Sequence, residues 1–394
     1  MTTHRLSRLS SLDTLRGLII VFMAIDHARG FIARNHPGEF WGAPLPDYHG
    51  DWVAFLTRLV THLCAPGFMF LMGAGAALFA ASRAREGWSP WRITGQLALR
   101  GVVLIVLSLL VENAASAYGT AGAIRGENYG LRVPGAPGPI SVILGVLYGL
   151  GSSLAIAAFF VRLPAAALAA MAAVCVALTH WLTPDASQFG APIGPVMGAL
   201  AVAGLAPPLV SVYPTIPWLA PTLLGLAFGR LVQHDSRDSD DGASRTRAFT
   251  LIGAAGIAFV VLFIILRASG EIGSFQPVQP GWIGLLNVTK YPPSLTFLLL
   301  TLGIDFILLA LFEHTGAGAA RWTAPIRVFG AAPLFFFVTH LFLYGFIGKW
   351  YLGGTTFAVM YMWWFVGLIV LYLPCKWYGE FKQRRPPNSL WRML

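Results

Sequence analysis

The sequence predicts an all-α integral membrane protein of about ten transmembrane helices, N-in and C-in, with a polar pocket inside the bundle. Three observations carry this. Of 394 residues, 56% are hydrophobic and only 11% charged, with a mean hydropathy of +0.67, whereas soluble domains carry about 25% charged residues. Ten apolar runs are long enough to cross a bilayer: 12–33, 52–81, 94–118, 139–161, 164–184, 213–232, 248–267, 292–312, 327–347 and 357–377. And with the N-terminus inside, 19 of the 27 Lys and Arg residues fall nearest the inner face, as the positive-inside rule requires. The chain reads as one domain, 1–394, with a basic cytoplasmic tail at about 378–394.

The net charge of +10 does not point to nucleic acid, because the basic residues are spread over connecting loops, not gathered in a patch. Cys64, Cys175 and Cys375 all lie in apolar runs and give neither metal spacing nor a disulfide framework. The N-terminus is short and basic, with no small-residue cleavage site after the apolar core, so the first span is expected to be retained.

The first run holds the most informative residues. It carries Arg16 near its start and Asp26–His27 near its end. Ionisable groups within a span are costly and tend to face the bundle interior. At about 100° and 1.5 Å per residue, Arg16 and His27 share one face about 16 Å apart. His27 can exchange a proton near neutral pH. Asp26 points about 100° away from it on a helix, so another group is expected to orient His27. Arg16 either holds a phosphate or pairs with Asp13 three residues earlier.

In the second run Asp51, Arg58 and His62 share a face, and Pro66 follows where it frees a backbone carbonyl. Arg58 could pair with Asp26 or clamp an anionic substrate. The third run holds Gln96, Arg100, Glu112 and Asn113; the eighth holds Asp305; the ninth sets His340 among aromatics. Each alone fits a helix-to-helix hydrogen bond or ion pair. Together, His27, Arg58 and His62 cluster toward the outer side. His180, near the end of its span, reads as an interfacial residue, and His4 and His314 as loop histidines.

The loops differ by side. The inner run Gln233–Gly242 reads as a solvated connector. The outer loops are longer. Residues 35–50 carry His36, Phe40, Trp41, Tyr48 and His49; 119–138 carry Arg125, Glu127, Tyr129 and Arg132; 185–212 are Gly/Pro-rich and suited to re-enter the membrane edge; 269–291 carry Trp282, Lys290 and Tyr291. Such loops either cap a site or anchor at the interface. The sequence has no internal repeat, no Walker loop and no serine nucleophile elbow.

These residues also carry a resemblance. Ser11-Leu-Asp-Thr-Leu-Arg-Gly-Leu18 followed by Met23-Ala-Ile-Asp-His27 resembles the opening of integral-membrane acyltransferases, which place an arginine and a histidine in the first span with ten residues between them. Arg58–Ala76 is similar to a bacterial branch of the family sharing the catalytic domain of heparan-alpha-glucosaminide N-acetyltransferase. Tyr213-Pro-Thr-Ile-Pro-Trp-Leu-Ala-Pro221, Lys290-Tyr-Pro-Pro-Ser-Leu295 and Pro333-Leu-Phe-Phe-Phe-Val-Thr-His340 resemble further blocks of it. The order of the blocks covers nearly the whole chain.

The resemblance implies a multi-pass cell-membrane enzyme, of the bacterial inner membrane, that takes an acyl group, acetyl above all, from cytoplasmic acyl-CoA. It delivers that group to an amine or hydroxyl of an extracytoplasmic sugar or glycan. His27 would be the base, with Asp26 and Arg16 completing the catalytic set. Arg58, His62, His36, His49, Tyr213, Trp218, Lys290, Tyr291 and His340 would meet the substrate, and Arg16 and Arg100 the CoA. No metal is implied. The partners are the glycan and membrane lipid, with a homo-oligomer left open and no nucleic acid.

One departure bears on the base. Lysosomal-type members have an asparagine where His27 stands and draw a histidine from the following loop, where this chain offers His36 and His49. Direct transfer and an acyl-histidine intermediate both stay open. Two other classes compete: a proton-coupled carrier using Asp26, His27, Arg58 and His62, and a scaffold whose polar groups only join helices.

Overall fold

In the computed structural model, residues 9–35, 38–120, 132–235, 241–270, 272–315, 321–385 and 389 are described. Helix α1 (Ser10–Phe31) runs through the middle of the bundle, with Leu15, Ile19, Ile20, Ala24 and Ala28 fully buried. It packs against α2 (Trp52–His62), α3 (Cys64–Arg85), α12 (Leu295–His314), α13 (Ala324–Ala331), α14 (Pro333–Gly348) and α15 (Phe357–Gln383). Every 18-residue stretch of α1 carries at least three charges. A lipid-facing helix would not tolerate that; one enclosed by other helices does.

The remaining helices are α4 (Pro90–Leu107), α5 (Asn113–Thr120), α6 (Val146–Ala157), α7 (Ala165–Leu182), α8 (Pro195–Leu200), α9 (Thr215–Asp235), α10 (Asp241–Ala268) and α11 (Gly281–Leu286). Capping fixes several starts: Asp51 accepts from Ala54 N at the head of α2, and Ser89, Ser294 and Thr356 do the same for α4, α12 and α15. Large apolar side chains on α10 and α15, among them Ile257, Val261, Ile265, Phe365, Ile369 and Leu373, face outward, as suits a hydrocarbon surround. This is a multi-pass membrane protein.

All ten apolar runs contain helix, but they are cut differently from the sequence reading. Seven described helical stretches are long and apolar enough to span, or eight if α13 and α14, bent by 91°, count as one. The 52–81 run stays one stretch, Trp52–Arg85, with a one-residue irregularity at Leu63 between α2 and α3 and Pro66 in the first turn of α3; lacking an N–H, proline omits one bond of the ladder there. The bend between α13 and α14 falls at Ala332, with Pro333 opening α14. A π-helical turn, Ser108–Glu112, joins α4 to α5.

The fold is also not wholly helical. Strands β1 (Val142–Leu144), β2 (Gly204–Ala206) and β3 (Leu209–Ser211) form a small sheet in the order β1-β3-β2, parallel between β1 and β3 and antiparallel between β2 and β3. It takes in the end of the Gly/Pro-rich 185–212 segment and the head of the fourth run. Two loops pair beside it: Trp41 N donates to Tyr291 O (2.9 Å), and Lys290 N and Tyr291 N donate to Glu39 O (3.2 and 3.0 Å). That pairing brings Glu39 into the bundle.

Candidate functional site

Arg58 of α2 is fully buried and holds two carboxylates. Its Nε and Nη2 donate to the two oxygens of Glu39 (2.7 and 2.5 Å), and its Nη1 donates to Asp26 Oδ1 (2.6 Å). Thr61 Oγ1 adds a bond to Asp26 (3.3 Å), and His62 Nε2 lies 3.0 Å from Glu39 Oε1. The bidentate fork is the strong, orienting form of the pair. Burial pushes the Glu39 carboxyl up, but the charges and hydrogen bonds of Arg58 and His62 outweigh it and hold the group well below the usual carboxylate range. Arg58 is therefore the partner of Asp26 and Glu39, tying α1, α2 and the 35–50 loop together.

One residue on from Asp26, the His27 ring turns to α14. Its Nδ1 lies 2.8 Å from His340 Nε2, while His340 Nδ1 lies 2.7 Å from Phe336 O. The His27 ring thus meets a second histidine across the helices, and the Met23 backbone one turn back on α1 also bonds it.

His27 opens onto a cavity of about 300 Å3 whose lining includes Asp26, Thr61, Cys64, Glu112, Lys290 and the rings of Phe40, Tyr213 and Tyr291. Lys290 is buried, its Nζ 5.1 Å from the centre of the Tyr291 ring. Glu112 is spoken for: it accepts from Ser108 Oγ (2.6 Å), Val146 N (2.9 Å) and Leu147 N (3.2 Å), capping α6.

Toward the Arg16 end of α1 lies a second cavity, of about 320 Å3, lined by Arg16, Arg100 and Lys382 together with apolar residues including Leu71, Met72, Leu104, Leu150 and Phe337. Arg16 also donates to Asp13 Oδ1 (2.9 Å) and Gly330 O (3.2 Å), and the Arg100 guanidinium lies over the Phe79 ring. Met23, Phe68 and Val146 line both cavities. The two spaces therefore abut at the middle of α1.

Of the sequence candidates, His27, Asp26, Lys290, Tyr213 and Tyr291 meet at the first cavity, and Arg16 and Arg100 at the second. Arg58, His62 and His340 stand behind the cavity wall in the networks above. Trp218 is fully buried against Tyr213 and Phe297. His49 is exposed and pairs with Asp47, away from both spaces. His36 lies outside the described residues, as do Arg125, Glu127 and Tyr129. Sequence reasoning missed Glu39 and Lys382. The only local signal for Glu39 was an acid set between Pro37-Gly38 and the aromatic pair Phe40-Trp41.

The family model for the catalytic region of heparan-alpha-glucosaminide N-acetyltransferase matches residues 8–265. Human heparan-alpha-glucosaminide N-acetyltransferase is 30% identical over 115 residues. That alignment takes in 28% of this chain but only 15% of the human protein.

Proposed function

The chain belongs to the heparan-alpha-glucosaminide N-acetyltransferase catalytic family, and from that premise we propose that it transfers an acetyl group across the membrane. The donor is cytoplasmic acetyl-CoA, and the acceptor is an amine or hydroxyl of an extracytoplasmic sugar.

The observation that carries this reading is the pair of abutting cavities along α1, cationic at one end and holding His27 at the other. Arg16, Arg100 and Lys382 suit the phosphates of CoA, and the apolar wall beyond them suits the pantetheine arm. The thioester then reaches Met23, Phe68 and Val146, where the two spaces meet. Phe40, Tyr213 and Tyr291 offer the aromatic faces of a sugar site, with a few polar groups to orient the ring.

His27 takes the proton of the acceptor N–H or O–H as that atom attacks the thioester carbonyl. The new C–N or C–O bond forms, the C–S bond breaks, and CoA leaves as a thiolate, which recovers the proton from His27. The position of the two cavities supports direct transfer, since donor and acceptor approach one point from opposite ends.

The test is labelled acetyl-CoA with a panel of amino sugars and purified protein in detergent. His27→Ala is expected to lower transfer by roughly 10²–10⁴-fold while acetyl-CoA still raises the unfolding temperature. Absence of both transfer and CoA-dependent stabilisation, with solute uptake into proteoliposomes, would overturn the reading in favour of a carrier.

A further inference from the structure

We propose that His340 is the positioning residue for His27, fixing the tautomer that leaves His27 Nε2 as the proton acceptor in the cavity. The inference rests on the reading of His27 as the base. Phe336 O, 2.7 Å from His340 Nδ1, is a carbonyl and can only accept, so His340 Nδ1 carries a hydrogen. His340 itself is fully buried. Its ring neighbours are Phe336, Phe337 and Tyr344, with ring centres 4.9, 5.7 and 5.9 Å away. Of the acids in the site, Asp26 and Glu39 are held by Arg58, and Glu112 by Ser108 and the head of α6. A cation at His340 would be buried without a carboxylate, at a cost that a neutral ring avoids.

Neutral and protonated on Nδ1, His340 has only a lone pair on Nε2. His27 Nδ1, 2.8 Å away, must then be the donor. The second nitrogen of His27 is left unprotonated, on the residue that lines the cavity. His340 does for His27 what a carboxylate does in other base–orienter pairs, but with no charge.

The histidine pair is not a proton path. When His27 Nε2 takes the acceptor's proton, its Nδ1–H goes on donating to His340. The far hydrogen of His340 ends on Phe336 O, a carbonyl that does not take up a proton at neutral pH. The chain is closed there, so the proton stays on His27 until the CoA thiolate recovers it. No bond other than the N–H at Nε2 is made or broken at the pair.

The experiment is ¹⁵N NMR of histidine-labelled protein in detergent, with the His27 signals assigned by their loss in His27→Asn. Wild type is expected to show a neutral His27 protonated at Nδ1, and His340→Leu a larger share of the Nε2 tautomer, with the Met23 backbone then the remaining partner of the ring. In the transfer assay, His340→Leu is expected to lose kcat by roughly 10²-fold or more, with KM for acetyl-CoA within about twofold of wild type. His340→Gln, whose side-chain carbonyl can accept from Nδ1–H, should recover most of that rate. A wild-type His27 protonated at Nε2 would overturn the proposal. So would a folded His340→Gln as slow as His340→Leu. If His340→Leu does not fold, the wild-type spectrum and His340→Gln still decide. If no variant or wild type transfers acetyl, the proposed function falls and the spectrum alone judges the tautomer.

Discussion

Glu39 shows how much a single loop residue can hold. Its carboxylate takes two of the donors of a fully buried arginine and contacts His62 as well. Glu39→Gln removes one of two carboxylates from a buried arginine that Asp26 still pairs, so its cost lies below the about 3–5 kcal/mol of a buried charge left wholly unpaired. Glu39→Gln is therefore expected to lower the unfolding temperature markedly at pH 7. The pH dependence has a definite sign. Because the folded carboxyl is held below its ordinary range, its contribution is complete above the unfolded-state value of about 4.3. It is lost as pH falls through the lower folded value. The gap between wild type and Glu39→Gln should thus stay constant near neutrality and shrink below about pH 4, read by thermal unfolding in detergent across pH. Periodicity placed Arg58 on a polar stripe of its helix and left it two roles, partner of Asp26 or clamp for an anionic substrate; the packing of α2 on α1 makes the pair. Glu39 was not, since a loop has no period and its partner is set by the pairing of Lys290 and Tyr291 with the Glu39 carbonyl. His340 was legible as a buried polar residue, but its place behind His27 depends on where α14 crosses α1.

Among the elements, α3 brings Phe68, Leu71 and Met72 to the cavity walls, and it is held in place from behind by α9. The two helices approach closely at glycines: a Cβ on Gly73 would sit 2.0 Å from Thr222 O, and one on Gly225 would sit 2.0 Å from Phe70 O. The obstacle in each case is backbone, which cannot swing aside as a side chain can. Gly73→Val is expected to cost at or beyond the upper end of the usual 1–3 kcal/mol or so for overpacking, whereas Gly75→Ala, with open space around its Cβ position, should unfold at nearly the wild-type temperature. The elements themselves were largely legible: each of the ten apolar runs contains helix, because burial in lipid or bundle demands long apolar stretches. The bend between α13 and α14 was written in Pro333 and the irregularity at Leu63 in Pro66, yet a continuous apolar run masks them when length alone is weighed. The three-residue strands were hidden for a different reason. They are too short for alternation to register, and β1 leads straight into the apolar run of α6.

At the scale of the molecule, one helix sets the geometry of both cavities. Arg16 and His27 sit on a common face about 16 Å apart, a relation that spacing alone revealed, and each borders a different cavity. What spacing could not reveal is that the cavities abut, because that depends on how α3 and α6 pack against α1. Met23, Phe68 and Val146, one from each of those helices, line both spaces. If the acyl group passes between the spaces, this junction is where steric bulk should separate binding from transfer. Val146 begins α6 beside the Glu112 cap, which is made through its backbone N–H, so a larger side chain there leaves the cap intact. Val146→Trp is expected to keep acetyl-CoA affinity within about threefold, since the cationic end of the Arg16 cavity is untouched. It should lower transfer by roughly 10²-fold or more, because a misplacement of about 1 Å at the reacting atoms already costs that much. Acetyl-CoA-dependent thermal stabilisation and labelled transfer, measured on the same preparation, distinguish the two effects. A parallel loss of both would mean that bulk at Val146 blocks the seating of the donor as well as the passage of its acyl group, and equal transfer in both proteins would mean that the acyl group does not travel past this junction at all.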